Sequence, residues 1–279
     1  MLSRQVTINL QRVVRSLAML LTVLIFAGPL AWFATLSLKH TLDIFTTPPT
    51  LWKFSPTLDN YTALFSAGTH FQTYIINSLI VAGASTAIAV PAGAAAAYAL
   101  ARKRVTHAGG WSFAMLVFRM LPPVSLVVPY YLVFLELHLL GSLVAITLTH
   151  TIISLPIVIW LLKGFFEEVP YEIEQAAQVD GCTPWQTLTR IVIPMSLASV
   201  VAAGVFSFLT SWNEFLFASV LSNPDTQTLT VAGSTFVGEV YISWGELAAA
   251  TTIGIVPAIV FTLAGQRFLL RGLAPGAVK

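Results

Sequence analysis

From Ser16 to Leu38 the chain runs 23 residues without a charged side chain, and windows of this kind recur along its whole length. At about 1.5 Å per residue, such a run reaches across about 30 Å of hydrocarbon. At that depth a helix is the single-segment structure that satisfies its own backbone polar groups. Only 9% of the 279 residues are charged and 56% are hydrophobic, with a mean hydropathy of +0.81. A soluble domain usually carries about 25% charge, so too few polar side chains are present to clothe a water-facing surface. The expected fold class is an all-α membrane protein. Arg4, Arg12 and Arg15 precede the first run in the manner of a signal peptide. That run is longer than an h-region of about 7–15 residues, so we expect a retained first helix.

Six transmembrane helices are expected, at about 17–38, 75–100, 111–134, 143–162, 197–220 and 247–266, within a single transmembrane domain covering 1–279. In the second, Gly83, Gly93 and Ala94–Ala97 form a small-residue face suited to close helix packing. Pro122-Pro123 and Pro129 interrupt the third, His150 and Pro156 lie in the fourth, and Pro257 lies in the sixth. Basic residues then orient the chain. With the N-terminus in the cytoplasm, Arg4, Arg12, Arg15, Arg102, Lys103, Arg104, Lys163, Arg190, Arg267, Arg271 and Lys279 fall inside, 11 of the 14 Lys and Arg. Only Lys39 and Lys53 fall outside. Both termini are therefore expected to be cytoplasmic. The outer segments are 39–74 and 222–246, and the one long inner connection is 163–196.

That inner connection holds five of the twelve acids: Glu167, Glu168, Glu172, Glu174 and Asp180. Pro170 suits the first turn of a helix, and Glu172 and Glu174 sit near its positive end. Asp180-Gly181 reads as a stop, with Gly181 free to turn left-handed. Thr183-Pro184 restarts a helix with Thr183 as N-cap, and Pro194 ends or kinks it. The expectation is a helix, a glycine turn and a second helix on the cytoplasmic face. Physics alone leaves two readings level: a docking surface for another protein, or a plain interfacial amphipathic helix.

The order Ala176-Ala177, three residues, Gly181, nine residues, Ile191, one residue, Ile193-Pro194 resembles the signature loop of importer-type ABC permeases. That signature begins Glu-Ala-Ala and ends Ile-x-Leu-Pro; here Gln175 and Ile193 stand at the two departures. The stretches 57–61, 77–79, 97–102, 120–123 and 211–215 are similar, in order, to the six-helix permeases of maltose-type carbohydrate importers, so the resemblance covers nearly the whole chain. It implies a type I ABC importer permease fold, multi-pass in a prokaryotic plasma membrane. It implies four kinds of partner: a second homologous permease, two ATP-binding subunits, an extracytoplasmic substrate-binding protein, and membrane lipid. It also implies that Glu174, Gln175, Ala176, Ala177, Asp180, Gly181, Ile191 and Pro194 carry the coupling to the ATPase. With Gln175 at the signature's acid position, Glu174 could supply the acid one residue earlier. ATP and Mg would be bound by the partner ATPase and no cofactor by this chain.

Glu214 is a candidate for the translocation path, because an ionisable group at membrane depth is functional by default. Trp212 could stack on a sugar ring and Asn213 bond a hydroxyl. The competing reading places Glu214 near the outer interface in a structural role. Arg119 faces either an aqueous cavity or the cytoplasmic surface by snorkelling, and we favour the latter. His150 reads as a packed, hydrogen-bonded residue, since no His or carboxylate lies at i±4. No catalytic constellation is found. The phosphate-binding G-x-x-x-x-G-K-[ST] loop and the H-E-x-x-H and G-x-S-x-G motifs are absent from the sequence. Cys182 is the sole cysteine, so neither an intrachain disulfide nor a cysteine metal site is expected. No basic run suggests nucleic acid. Two other readings remain: a permease for glycerol phosphate or another polyol, and, in a different class, a stand-alone ion-coupled transporter or membrane enzyme.

Overall fold

The computed structural model describes residues 2–50, 53–66, 68–102, 104–238 and 242–272. Lys103 and Lys279, both counted as cytoplasmic by the charge argument, lie outside the described residues, and so do the side chains of Arg4, Arg267 and Arg271. The described residues are mostly helical and contain no strand, only an isolated bridge between Val237 and Ile242. In chain order the helices are α1 (Leu2–Ser37), α2 (Thr41–Ile44), α3 (Asp59–Leu64), α4 (Phe71–Ala101), α5 (Ala108–Met120), α6 (Pro123–Glu136) and α7 (Leu143–Glu168). They continue with α8 (Tyr171–Val179), α9 (Pro184–Thr187), a π-helical turn at Leu188–Val192, α10 (Ile193–Met195) and α11 (Leu197–Trp212). The last are α12 (Leu216–Leu221), α13 (Leu229–Thr235) and α14 (Trp244–Gly272).

Among the described residues, four helical stretches are long and apolar enough to cross a membrane: Gln11–Ser37, Phe71–Ala101, Leu143–Glu168 and Trp244–Gln266. The number rises to six if each of two bent pairs counts as one span. One pair is α5 and α6, bent by 95°. Pro122-Pro123 is the cause. A proline disfavours helical geometry in the residue before it, and Leu121 and Pro122 are both extended. Pro123 then opens α6 at a position where its missing N–H costs nothing, and Pro129 rides inside α6 without ending it. The second pair is Pro184–Met195 and Leu197–Trp212, bent by 87° at Ser196. Before that bend the Ile193 N–H reaches back five residues to the Leu188 carbonyl, widening the helix one turn ahead of Pro194. The expected fifth span, 197–220, is itself interrupted. Asn213–Phe215 leaves the helix between α11 and α12.

The chain forms two compact units: Met1–Thr69 with Gly233–Ile255, and His70–Ala232 with Val256–Lys279. In the first, residues 11–32 of α1 are all exposed, an apolar surface that this single chain leaves uncovered. At the end of α1 a polar knot forms. Asn60 Nδ2 donates to the carbonyls of Ser37 and Lys39, both at 2.9 Å, and Ser37 Oγ meets Tyr61 Oη at 2.7 Å. Lys39 is buried, donating to the Thr50 carbonyl and lying over the rings of Trp32 and Phe54. Gly245 admits the Asn60 side chain where a Cβ would collide with it.

In the second unit α4, α7 and α11 form the core. Ala94, Ala97, Tyr98 and Leu100 of α4 pack with Val158, Ile159, Leu162 and Phe166 of α7 and Ala203 of α11. Gly93 permits this approach, since a Cβ there would come within 2.6 Å of Val158 Cγ1. Gly83, expected on the same small-residue face, has nothing near it. It instead lines an open apolar groove with Gly204, Gly265 and Phe261. A second apolar cluster joins Val81, Phe134, Ala145, Ile146, Phe217 and Leu221.

Candidate functional site

The loop between α7 and α11 is built by its capping residues. Pro170 is the N-cap of α8, one position earlier than its expected place in the first turn. Asp180 is the C-cap and Gly181 follows at φ +86°. The Cys182 N–H donates to the Ala177 carbonyl (2.9 Å) and the Gly181 N–H to that of Gln178 (3.1 Å). These two bonds are the paired closure that a left-handed glycine makes possible at a helix end. Thr183 then opens α9 with a reciprocal cap. Its Oγ1 accepts from the Gln186 N–H, and the Gln186 side chain accepts from the Thr183 N–H.

Because its ends are fixed, α8 has a defined inward stripe. Only Glu174 and Ala177 are buried, three residues apart on one side. Gln175, Ala176 and Asp180 are exposed. Val179 is 88% exposed and Trp185 of α9 62%, with Tyr171 and Ile173 also open. These apolar side chains form an exposed patch beside the capped glycine turn. Ile191 and Pro194 lie further along, half-buried and exposed respectively.

Glu174 does not offer its acid outward, as the sequence reading had it. Helical phase turns it into the chain, where it is fully buried. One carboxylate oxygen accepts from Tyr98 Oη (2.7 Å) and the other from Arg102 Nε (2.7 Å). Arg102 Nη2 also bonds the carboxylate and donates to the Val169 carbonyl at 2.9 Å.

A second polar cluster lies where α11 breaks. Glu214 Oε1 accepts from the Phe217 N–H (2.9 Å) and Oε2 from the Ala218 N–H (3.0 Å), so its carboxylate caps α12. His150 Nε2 meets Oε2 at 3.0 Å, and Nδ1 meets Ser211 Oγ at 2.7 Å. The Thr230 hydroxyl donates to the Glu214 carbonyl. His150 is fully buried and hydrogen-bonded, in line with its packed reading. The carboxylate partner comes from 64 positions away, beyond any local spacing rule. Trp212 is buried and stacked on Phe208, ring centroids 5.8 Å apart, so its face does not stand open to a solute. Asn213 is exposed and donates to the Leu209 carbonyl. Arg119 ends α5 at the 95° bend, lining a cavity of about 220 Å³ with Pro123, Ile153, Pro156 and Thr210. Ile153 and Pro156 lie near the middle of α7, and Arg119 itself is exposed.

Sequence reasoning missed the work of Asn77 and Ser78, quoted above only as part of a similar stretch. Asn77 Nδ2 donates to the carbonyls of Asp225 (2.9 Å) and Gln227 (3.0 Å), and Ser78 Oγ accepts from the Leu229 N–H (2.7 Å). Together they tie the connection after α12 to α4. Polar residues inside a long apolar window were the available signal. No group of three or more His, Cys, Asp or Glu among the described residues could hold a metal ion.

Apolar helices long enough to cross a membrane, buried polar clamps and an exposed helix–glycine–helix loop are the features of a membrane-embedded chain. The family model for the binding-protein-dependent transport system inner membrane component matches residues 89–275, and the chain belongs to that family. The sulfoquinovosyl glycerol transport system permease protein SmoH of Agrobacterium fabrum is 35% identical over 90% of this chain and 88% of its own. The trehalose transport system permease protein SugB of Mycobacterium tuberculosis is 34% identical over 90% and 92%. A crystal structure of a bacterial ABC transporter involved in the import of the acidic polysaccharide alginate superposes with a TM-score of 0.75 at 19% identity. It covers 93% of this chain and 96% of that one, which establishes the shared fold.

Proposed function

We propose that this chain forms half of the translocation pathway of an ATP-driven importer for a sugar or oligosaccharide in a prokaryotic inner membrane. A second, homologous permease supplies the other half. Two ATP-binding subunits dock on the cytoplasmic loop 163–196, and an extracytoplasmic binding protein delivers the solute. Six spans with both termini cytoplasmic match the distribution of Lys and Arg. Relatives that carry trehalose and sulfoquinovosyl glycerol in their names support a glycoside as solute. A phosphate-bearing polyol ranks second. It favours several basic residues at membrane depth, and in the expected spans only Arg119 is placed to serve.

The observation that carries this reading is the exposed face of α8 and α9 around Gly181. Val179 and Trp185 are the apolar anchors there, with Gln175, Ala176 and Asp180 beside them. In this reading Asn213 is the member of the 212–214 trio best placed to meet solute, since Trp212 and Glu214 are committed internally. The test is to purify the tagged chain from its native membrane in mild detergent and identify its companions by mass spectrometry. A second permease and an ATPase at twice its copy number are expected. A chain that purifies alone and transports without ATP would overturn the proposal in favour of an ion-coupled carrier.

A further inference from the structure

Helix α8 is held to the rest of the chain by charge more than by packing. Its buried residues are Glu174 and Ala177, and the latter contributes one methyl group. Its polar side-chain attachments converge on the end of α4. Both Glu174 oxygens are taken at the end of α4, by Tyr98 Oη and by Nε of the C-cap residue Arg102, each at 2.7 Å. The same guanidinium reaches the Val169 carbonyl at the α7–α8 joint and lies 5.8 Å from the Tyr171 ring centroid in the first turn of α8. Arg104 covers the Tyr98 ring at 5.1 Å and donates to its hydroxyl at 3.4 Å. The pair is sealed from solvent, with side chains 8% exposed for Arg102 and 0% for Glu174.

A planar guanidinium that grips a carboxylate and a backbone carbonyl together fixes direction as well as distance. Taking either charge away strands the other in a buried site, so the two elements cannot separate cheaply. We propose that Tyr98, Arg102 and Glu174 are positioning residues that make α8 and α4 move as one body. Displacement of the docking helix by the ATPase would then pass directly into α4, the helix that packs on both α7 and α11. This rests on the reading of α8 as the ATPase-docking helix and adds the route by which its motion enters the membrane. Coupling of this kind needs a two-state element that both sites bias, and the α4–α8 body is that element.

The test uses the assembled importer in lipid nanodiscs, with spin labels on the native Cys182, beside α8, and on an Ile88→Cys substitution on the exposed side of α4. In the parent complex the Cys182–Ile88 distance should stay constant with and without MgATP. In Glu174→Gln, which keeps the side-chain shape and removes the charge, that distance should shift or broaden on MgATP while the ATPase remains bound. Tyr98→Phe, which removes only one donor, should give the same change with smaller amplitude, and it serves if Glu174→Gln fails to assemble. A distance that already changes with MgATP in the parent, or one unaffected by both substitutions, overturns the proposal. Failure of the parent chain to retain any ATPase overturns instead the docking reading beneath it.

Discussion

Glu214 uses its whole carboxylate inside the chain, on two backbone N–H groups and one imidazole. Glu214→Ala therefore strips three groups of a partner at once, and each buried donor left unsatisfied costs about 1–3 kcal/mol. We expect a clearly lower unfolding temperature for Glu214→Ala in detergent and a smaller drop for Glu214→Gln, whose carbonyl oxygen still caps α12. Equal, negligible effects for both would show that the break after α11 stands without this cap. The same habit recurs at other residues. Asn60 clamps the end of α1, Asn77 and Ser78 clamp the connection after α12, and Arg102 clamps α8. The presence of Asn77, Ser78 and Glu214 was legible in the sequence, because a polar side chain in an apolar stretch stands out. The partners were not, since the contacts join positions 21 to 151 residues apart. For that reason the sequence left Glu214 between a path and a structural reading, and gave no sign that Glu174 pairs with Tyr98 and Arg102.

At the scale of elements, local chemistry was a good guide where backbone geometry depends on a single residue type. The left-handed turn at Gly181 and the Thr183 cap are where their residue types place them. The double proline announced an interruption but not its size, 95°. The break between α11 and α12 had no proline or glycine to signal it, and follows from the side-chain cap that Glu214 supplies. Gly181 gives the sharpest test of the loop. A β-branched residue at φ +86° carries a local strain of about 1–2 kcal/mol, small beside the stability of a membrane complex but enough to rotate α9 relative to α8. Gly181→Val should leave the amount of assembled complex nearly unchanged while solute uptake per ATP hydrolysed falls. Uptake at the parent ratio would remove the turn from any coupling role.

At the scale of the whole molecule, apolar surface is left over in each unit. In one, the outer length of α1 has no covered residue from 11 to 32. In the other, a groove floored by Gly83, Gly204 and Gly265 stays open beside Phe208 and Phe261. Lipid satisfies such surfaces without specificity, whereas a second permease satisfies them only when bound, and the two cases differ thermodynamically. A partner that binds the folded chain and not the unfolded one stabilises it by mass action, by about 2.7 kcal/mol at a hundredfold excess over its dissociation constant. The unfolding temperature of this chain in detergent should therefore rise when the second permease is co-expressed, and should fall back when the complex is diluted. A lone chain as stable as the complex, with no dependence on concentration, would assign both surfaces to lipid.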